Sequence, residues 1–121
     1  MAKVLVVDDE EIIRGFLRVH FEGAGYDVIE AANGETALTL ANDESPDLIV
    51  MDMNMPVMTG WDAVKALKQD GLVTAGVPII ALTAHNTPDD HAAAHEAGCD
   101  AFVEKPIDPD RLMDAVSRVL G

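Results

Sequence analysis

Leu48-Ile49-Val50-Met51-Asp52-Met53-Asn54-Met55-Pro56 is the stretch that decides the fold. Four apolar residues run directly into one carboxylate. A short polar break, a proline and then Gly60 follow. The run is too short for a helix and apolar at every position, the pattern of a strand covered on both faces, as in a parallel sheet. Asp52 then stands at the carboxyl end of a buried strand, where open α/β sheets place their ligands.

Working outward, Lys3-Val4-Leu5-Val6-Val7 has the same character and ends in Asp8-Asp9-Glu10-Glu11. Acids suit the start of a helix, and Asp9 is the expected N-cap. Asp8 still belongs to the strand end. Ile12, Ile13, Phe16, Leu17 and Phe21 recur at helical spacing until Gly23 and Gly25. Tyr26-Asp27-Val28-Ile29-Glu30 alternates like an edge strand, and Asn33-Gly34 reads as a turn. Ala37, Leu38, Leu40 and Ala41 give a short helix face closed by Ser45-Pro46, before the central strand over residues 47–51.

On the other side, Thr59 or Gly60 opens a third helix, with Trp61, Val64 and Leu67 on a core face. Residues 77–82 form a fourth strand with Pro78 near its start, where a missing donor does little harm. It leads into Thr83-Ala84-His85. Thr87-Pro88-Asp89-Asp90 is a helix start. That helix is rich in Ala, poor in large apolar residues, and expected to dock loosely before it stops at Gly98. Ala101-Phe102-Val103 is a fifth strand, running into Glu104-Lys105-Pro106. Asp108-Pro109-Asp110 opens a last helix that turns Leu112, Ala115, Val116, Val119 and Leu120 inward. Five strands alternating with five helices through short loops give a three-layer α/β sandwich around a parallel sheet, one domain over residues 1–121.

Composition narrows the function. Eight Lys and Arg stand against 22 Asp and Glu in 121 residues, for a net charge of -14. Such a surface lacks the basic footprint of a nucleic-acid binder and is repelled by anionic membranes. It suits cations and basic partner surfaces. The single cysteine, Cys99, excludes an intramolecular disulfide and reads as a small buried residue. No apolar run approaches the length of a membrane span, and the first residues lack a signal peptide's pattern. A cytoplasmic protein is expected.

The residues that follow each strand carry the chemistry. The first strand ends in Asp8 and Asp9, the third in Asp52, the fourth in Thr83 and the fifth in Lys105. In a parallel sheet these ends share one edge, so three carboxylates, a hydroxyl and an ammonium converge. Close carboxylates repel one another and call for a hard cation with oxygen ligands, which suits Mg2+, with Mn2+ as a substitute. Asp8, Asp9, Asp52 and the Asn54 carbonyl are its expected ligands. An Asp carboxylate can also attack phosphorus to form an aspartyl phosphate. Phosphoryl transfer is mostly positioning and charge neutralisation, roles that Mg2+, Lys105 and the Thr83 hydroxyl can share. Lys105-Pro106 is a candidate cis peptide that would aim the ammonium inward. With three acids pressed together, Asp52→Asn is expected to raise the melting temperature in metal-free buffer.

Asp8-Asp9, Asp52 with Met55-Pro56 and Gly60, Thr83-Ala84, and Lys105-Pro106 together resemble the motifs of the response-regulator receiver domains of two-component signalling. The resemblance extends from Val4 to Leu120. It implies a sheet in the order 2-1-3-4-5 and an Asp52 phosphorylated by a histidine kinase or a histidine phosphotransfer protein. It implies that Thr83 moves toward the phosphoryl group and opens space for the ring of Phe102, which lacks the hydroxyl of a tyrosine. It implies that Asn54 and His85 tune the lifetime of the phosphoryl group. The last two helices and last strand would form a switching face for a downstream protein, in a monomer or a weak phosphorylation-dependent dimer. The early Met1 and the absence of a trailing linker make a stand-alone shuttle the expectation, over a piece cut from a larger regulator or hybrid kinase.

Rival readings lose on particular residues. A flavin mononucleotide binder of this topology needs a phosphate loop after the first strand, where four acids stand instead. A phosphatase with an Asp nucleophile needs a second acid where Asn54 stands. A phosphorylation-independent adaptor of the same fold should have lost one of the five polar residues, and all are present.

Overall fold

The computed structural model describes residues 2–55, 59–69, 76–84 and 88–120, without the side chains at 88, 90, 91 and 94. Strands β1 (Lys3–Val7), β2 (Asp27–Ala31), β3 (Leu48–Asp52), β4 (Ile79–Thr83) and β5 (Ala101–Glu104) alternate with helices α1 (Glu11–Gly23), α2 (Gly34–Glu44), α3 (Gly60–Leu67), α4 (Pro88–Ala97) and α5 (Pro109–Leu120). All strand pairs are parallel, in the order β2-β1-β3-β4-β5. The expected fold class is therefore observed.

The apolar runs divide by the period of two. Val4, Val6, Leu48, Val50, Ile80 and Leu82 face one way and pack with Leu17 and Phe21 of α1 and Leu112 and Val116 of α5. Leu5, Val7, Ile49, Met51, Ile79 and Ala81 face the other way, toward α2, α3 and α4. Of the inner strands, β3 and β4 are buried along their whole length, because both faces are covered. β2 is an edge strand and exposes Asp27. α4 buries Ala97 alone among its described side chains, in keeping with its Ala-rich sequence. Trp61 is half-buried against the α2–α4 core. Among the described residues no helix is long and apolar enough to cross a membrane.

Local readings change at several points, among them Leu120, which is exposed rather than turned inward, and the central strand, which runs over Leu48–Asp52. The N-cap of α1 is Glu10 rather than Asp9, and its own side chain makes no cap bond. Asp8 caps the turn instead. Its Oδ1 accepts from the Glu10 amide at 2.8 Å, which leaves Asp9 exposed. Asn33-Gly34 is the start of α2, not a separate turn, because the Asn33 side chain accepts from the Thr36 amide at 2.8 Å and caps the helix. Strand β4 begins at Ile79 and carries Thr83 within it, since Pro78 offers no amide to the ladder. The Thr87 cap expected for α4 lies outside the described residues.

Candidate functional site

The parallel sheet brings the ends of β1, β3, β4 and β5 to one edge. Asp8 and Asp52 are both buried there, at 0% and 1% exposure, and Asp9 is exposed beside them. Each of these three acids offers a carboxylate oxygen, and all three oxygens lie within 4.8 Å of one another. Lys105 sits over the buried pair: its Nζ is 3.2 Å from Asp8 Oδ2 and 3.2 Å from Asp52 Oδ1. One ammonium thus serves two carboxylates.

Backbone contacts set the positions of these groups. The Met53 amide donates to the Leu82 carbonyl at 3.0 Å, which carries the pairing of β3 and β4 past Asp52. The Lys105 amide donates to the Thr83 carbonyl at 2.8 Å, tying the last polar residue of β4 to the first beyond β5. The Lys105–Pro106 peptide bond is cis. Thr83 is buried at the strand end, and Phe102 is half-buried against the α2–α4 core. Asn54 is exposed, and its amide donates to Asp52 Oδ1 at 3.1 Å. His85 lies outside the described residues. Gly60 opens α3 directly against Asp52: a Cβ there would overlap the Asp52 carbonyl oxygen and approach the Met53 Cα to 2.5 Å.

Electrostatics follow from this packing. Burial pushes the Asp8 carboxyl above its ordinary range, the Glu10 amide opposes that, and the charge of Asp52 adds to the rise. Burial works against the Lys105 charge, but Asp52 and Asp8 outweigh it and hold the ammonium above its ordinary range. Lys105 is therefore a firm cation. Asp8 Oδ2 is enclosed and receives no well-directed hydrogen bond, the Lys105 contact being close in distance but not aligned. A buried carboxylate oxygen without a hydrogen bond is costly unless a cation completes it. The oxygen-only donor set of Asp8, Asp9 and Asp52 fits a hard divalent ion such as Mg2+.

Two contributions were not read from the sequence. Arg14 of α1 donates from Nη1 to the Asp8 carbonyl at 2.7 Å and from Nε to Glu30 of β2 at 3.3 Å. The signal for it was a scarce cation six positions past Asp8, with an acid on the edge strand. Gly60 stood in the motif around Asp52, but its contact with Asp52 is made only by packing.

This is a doubly wound α/β protein with an acidic, lysine-bridged site at the carboxyl edge of its sheet. Residues 4–117 match the response regulator receiver domain family, and the chain belongs to that family. It is 36% identical to the polar-differentiation response regulator DivK of Brucella anthropi, over 98% of this chain and 95% of that protein. It is 42% identical to the alkaline phosphatase synthesis transcriptional regulatory protein PhoP of Bacillus subtilis, again over 98% of this chain, but spans about half (48%) of that relative's length. Its structure is similar to chemotaxis protein CheY4 of Vibrio cholerae, with a TM-score of 0.92 at 38% identity over 98% of each chain.

Proposed function

We propose that residues 1–121 form one phospho-accepting receiver domain, with Asp52 as the acceptor. The observation that carries this reading is the placement of Lys105 Nζ 3.2 Å from both Asp8 and Asp52 at the end of a buried strand. Such a site holds an anionic nucleophile beside a fixed cation, which is what transfer to a carboxylate requires. An Asp52 oxygen attacks the phosphorus of a phosphohistidine on a histidine kinase or histidine phosphotransfer protein. The P–O bond forms as the P–N bond breaks, and the imidazole leaves with the electron pair. Lys105 faces the developing charge on the phosphoryl oxygens, and the Thr83 hydroxyl donates to one of them. Asp8, Asp9, Asp52 and the Asn54 carbonyl would hold Mg2+, or Mn2+ in its place, which when bound neutralises phosphoryl charge.

The message is then passed on by rearrangement. Thr83 closes on the phosphoryl group, the Phe102 ring follows, and the face of α4, β5 and α5 changes for a downstream protein. Asn54 and His85 set how readily water removes the phosphoryl group from Asp52. The protein acts in the cytoplasm as a signalling protein that catalyses its own phosphorylation and dephosphorylation, as a monomer or weak phosphorylation-dependent dimer, without touching nucleic acid or membrane.

Intact mass after incubation with acetyl phosphate and Mg2+ tests the reading. A gain of one phosphoryl group is expected, absent in Asp52→Asn and in the presence of chelator. No gain by folded wild-type protein would overturn it in favour of a phosphorylation-independent adaptor.

A further inference from the structure

Asp8 is held on every side but one. Its amide donates to the Ala31 carbonyl at the end of β2, at 3.2 Å, and its Oδ1 accepts from the Glu10 amide. Its carbonyl accepts the 2.7 Å bond from Arg14 Nη1. Only Oδ2 is left to face Asp52, Lys105 and a cation. The guanidinium that makes the carbonyl bond is itself anchored. Arg14 Nε donates to Glu30 Oε1 at 3.3 Å, and the other oxygen of Glu30 takes Arg18 Nε at 2.7 Å. Arg18 in turn reaches Glu22 at 3.2 Å. Glu30 pairs with Val6 across the β1–β2 ladder, so the backbone that carries its carboxylate is held to the strand that leads into Asp8. The Arg14 and Glu30 side chains are only 17% and 30% exposed, which shields the pair from solvent.

This arrangement is a brace across the first turn of the site. Repulsion among Asp8, Asp9 and Asp52 pushes the β1–α1 turn open. Arg14 opposes that by joining the turn's carbonyl to β2, and the planar fork of a guanidinium can serve both partners at once. We infer that Arg14, tethered by Glu30, is a positioning residue for Asp8 and thereby sets the affinity of the site for a divalent cation. The inference rests on the proposed cation site.

Charge and geometry predict opposite signs here, which makes the test decisive. Arg14 is a cation near a cation site, so as a mere charge its removal should tighten Mg2+ binding. As a brace, its removal should weaken binding, on the scale of about 10-fold or more seen when outer partners of a metal ligand are lost. The dissociation constant for Mg2+ is measured by titration calorimetry on unphosphorylated protein, for wild type, Arg14→Ala, Arg14→Lys and Asp8→Asn, with melting temperatures alongside. The expected result is binding by wild type, loss in Asp8→Asn, and about 10-fold weaker binding in Arg14→Ala. Arg14→Lys keeps the charge and loses the fork, so it should resemble Ala more than wild type, and it decides the matter if Arg14→Ala fails to fold. Unchanged or tighter binding in the Arg14 variants, with Asp8→Asn still impaired, would overturn the brace and leave the cation site standing. Absence of Mg2+ binding by the wild type would overturn both.

Discussion

At the scale of the residue, Asp52 is caught between opposing charges, and magnitudes decide the sign. At an effective dielectric of about 20, the Lys105 contact at 3.2 Å is worth about 5 kcal/mol of attraction. Two like carboxylates within 4.8 Å contribute about 7 kcal/mol of repulsion. Solvent screens the share of exposed Asp9, while burial of the Asp52 charge adds to the cost. An asparagine at 52 keeps an oxygen for Lys105 and for the Asn54 amide and removes the charge. Asp52→Asn should therefore melt a few degrees higher than wild type in metal-free buffer, equivalent to about 1 kcal/mol, and lower if the ion pair dominates. Differential scanning calorimetry reads the difference. Cys99 gives a second residue-scale expectation. Burial, then the charge of Asp100, pushes its thiol up to about 12. A thiol with a raised folded pKa stabilises the fold fully below the unfolded value of about 8.5. That stability is lost as pH rises from there toward about 12. Native protein should resist thiol reagents at about pH 8 and react once unfolded, and Cys99→Ala should lose less melting temperature than wild type above about pH 9.

At the scale of the element, α3 begins where β3 ends, and Gly60 lets the two backbones touch. A Cβ at this point would meet backbone atoms of Asp52 and Met53 rather than the end of a flexible side chain. Relief requires moving the N-terminus of α3 or the end of β3. Gly60→Ala should cost about 1–3 kcal/mol, as overpacking does, and should also slow acetyl phosphate-dependent modification, because Asp52 shifts with the strand end. A stable variant with wild-type modification would show that the contact is only tolerated. Thr59 remains a capping residue in either case, since its hydroxyl oxygen accepts from the Asp62 amide at 3.2 Å. The opposite helix, α1, was legible as a helix from its apolar spacing. Its N-cap is displaced by one residue to Glu10, whose amide donates to Asp8 Oδ1.

At the scale of the whole molecule, a net charge of -14 on 121 residues opposes compaction. Raising monovalent salt from about 10 mM to about 150 mM shortens the screening length from about 30 Å to about 8 Å. The melting temperature in metal-free buffer should rise across this range. A fall would mean that surface pairs such as Lys3–Glu44 and Arg18–Glu22 outweigh the general repulsion. The sequence by itself determined the count and order of strands and helices, because apolar period, capping residues and strand-ending acids are local properties of the chain. It also marked Asp8, Asp52, Thr83 and Lys105 as strand-end residues, since apolar runs stop there. Only the tertiary structure decided that one ammonium bridges Asp8 and Asp52, that Arg14 and Glu30 clasp the first turn, and that Gly60 touches the backbone of Asp52. Those contacts join different elements of the fold. Their distances depend on how the sheet is ordered and how closely helices pack on it, and no local period records either.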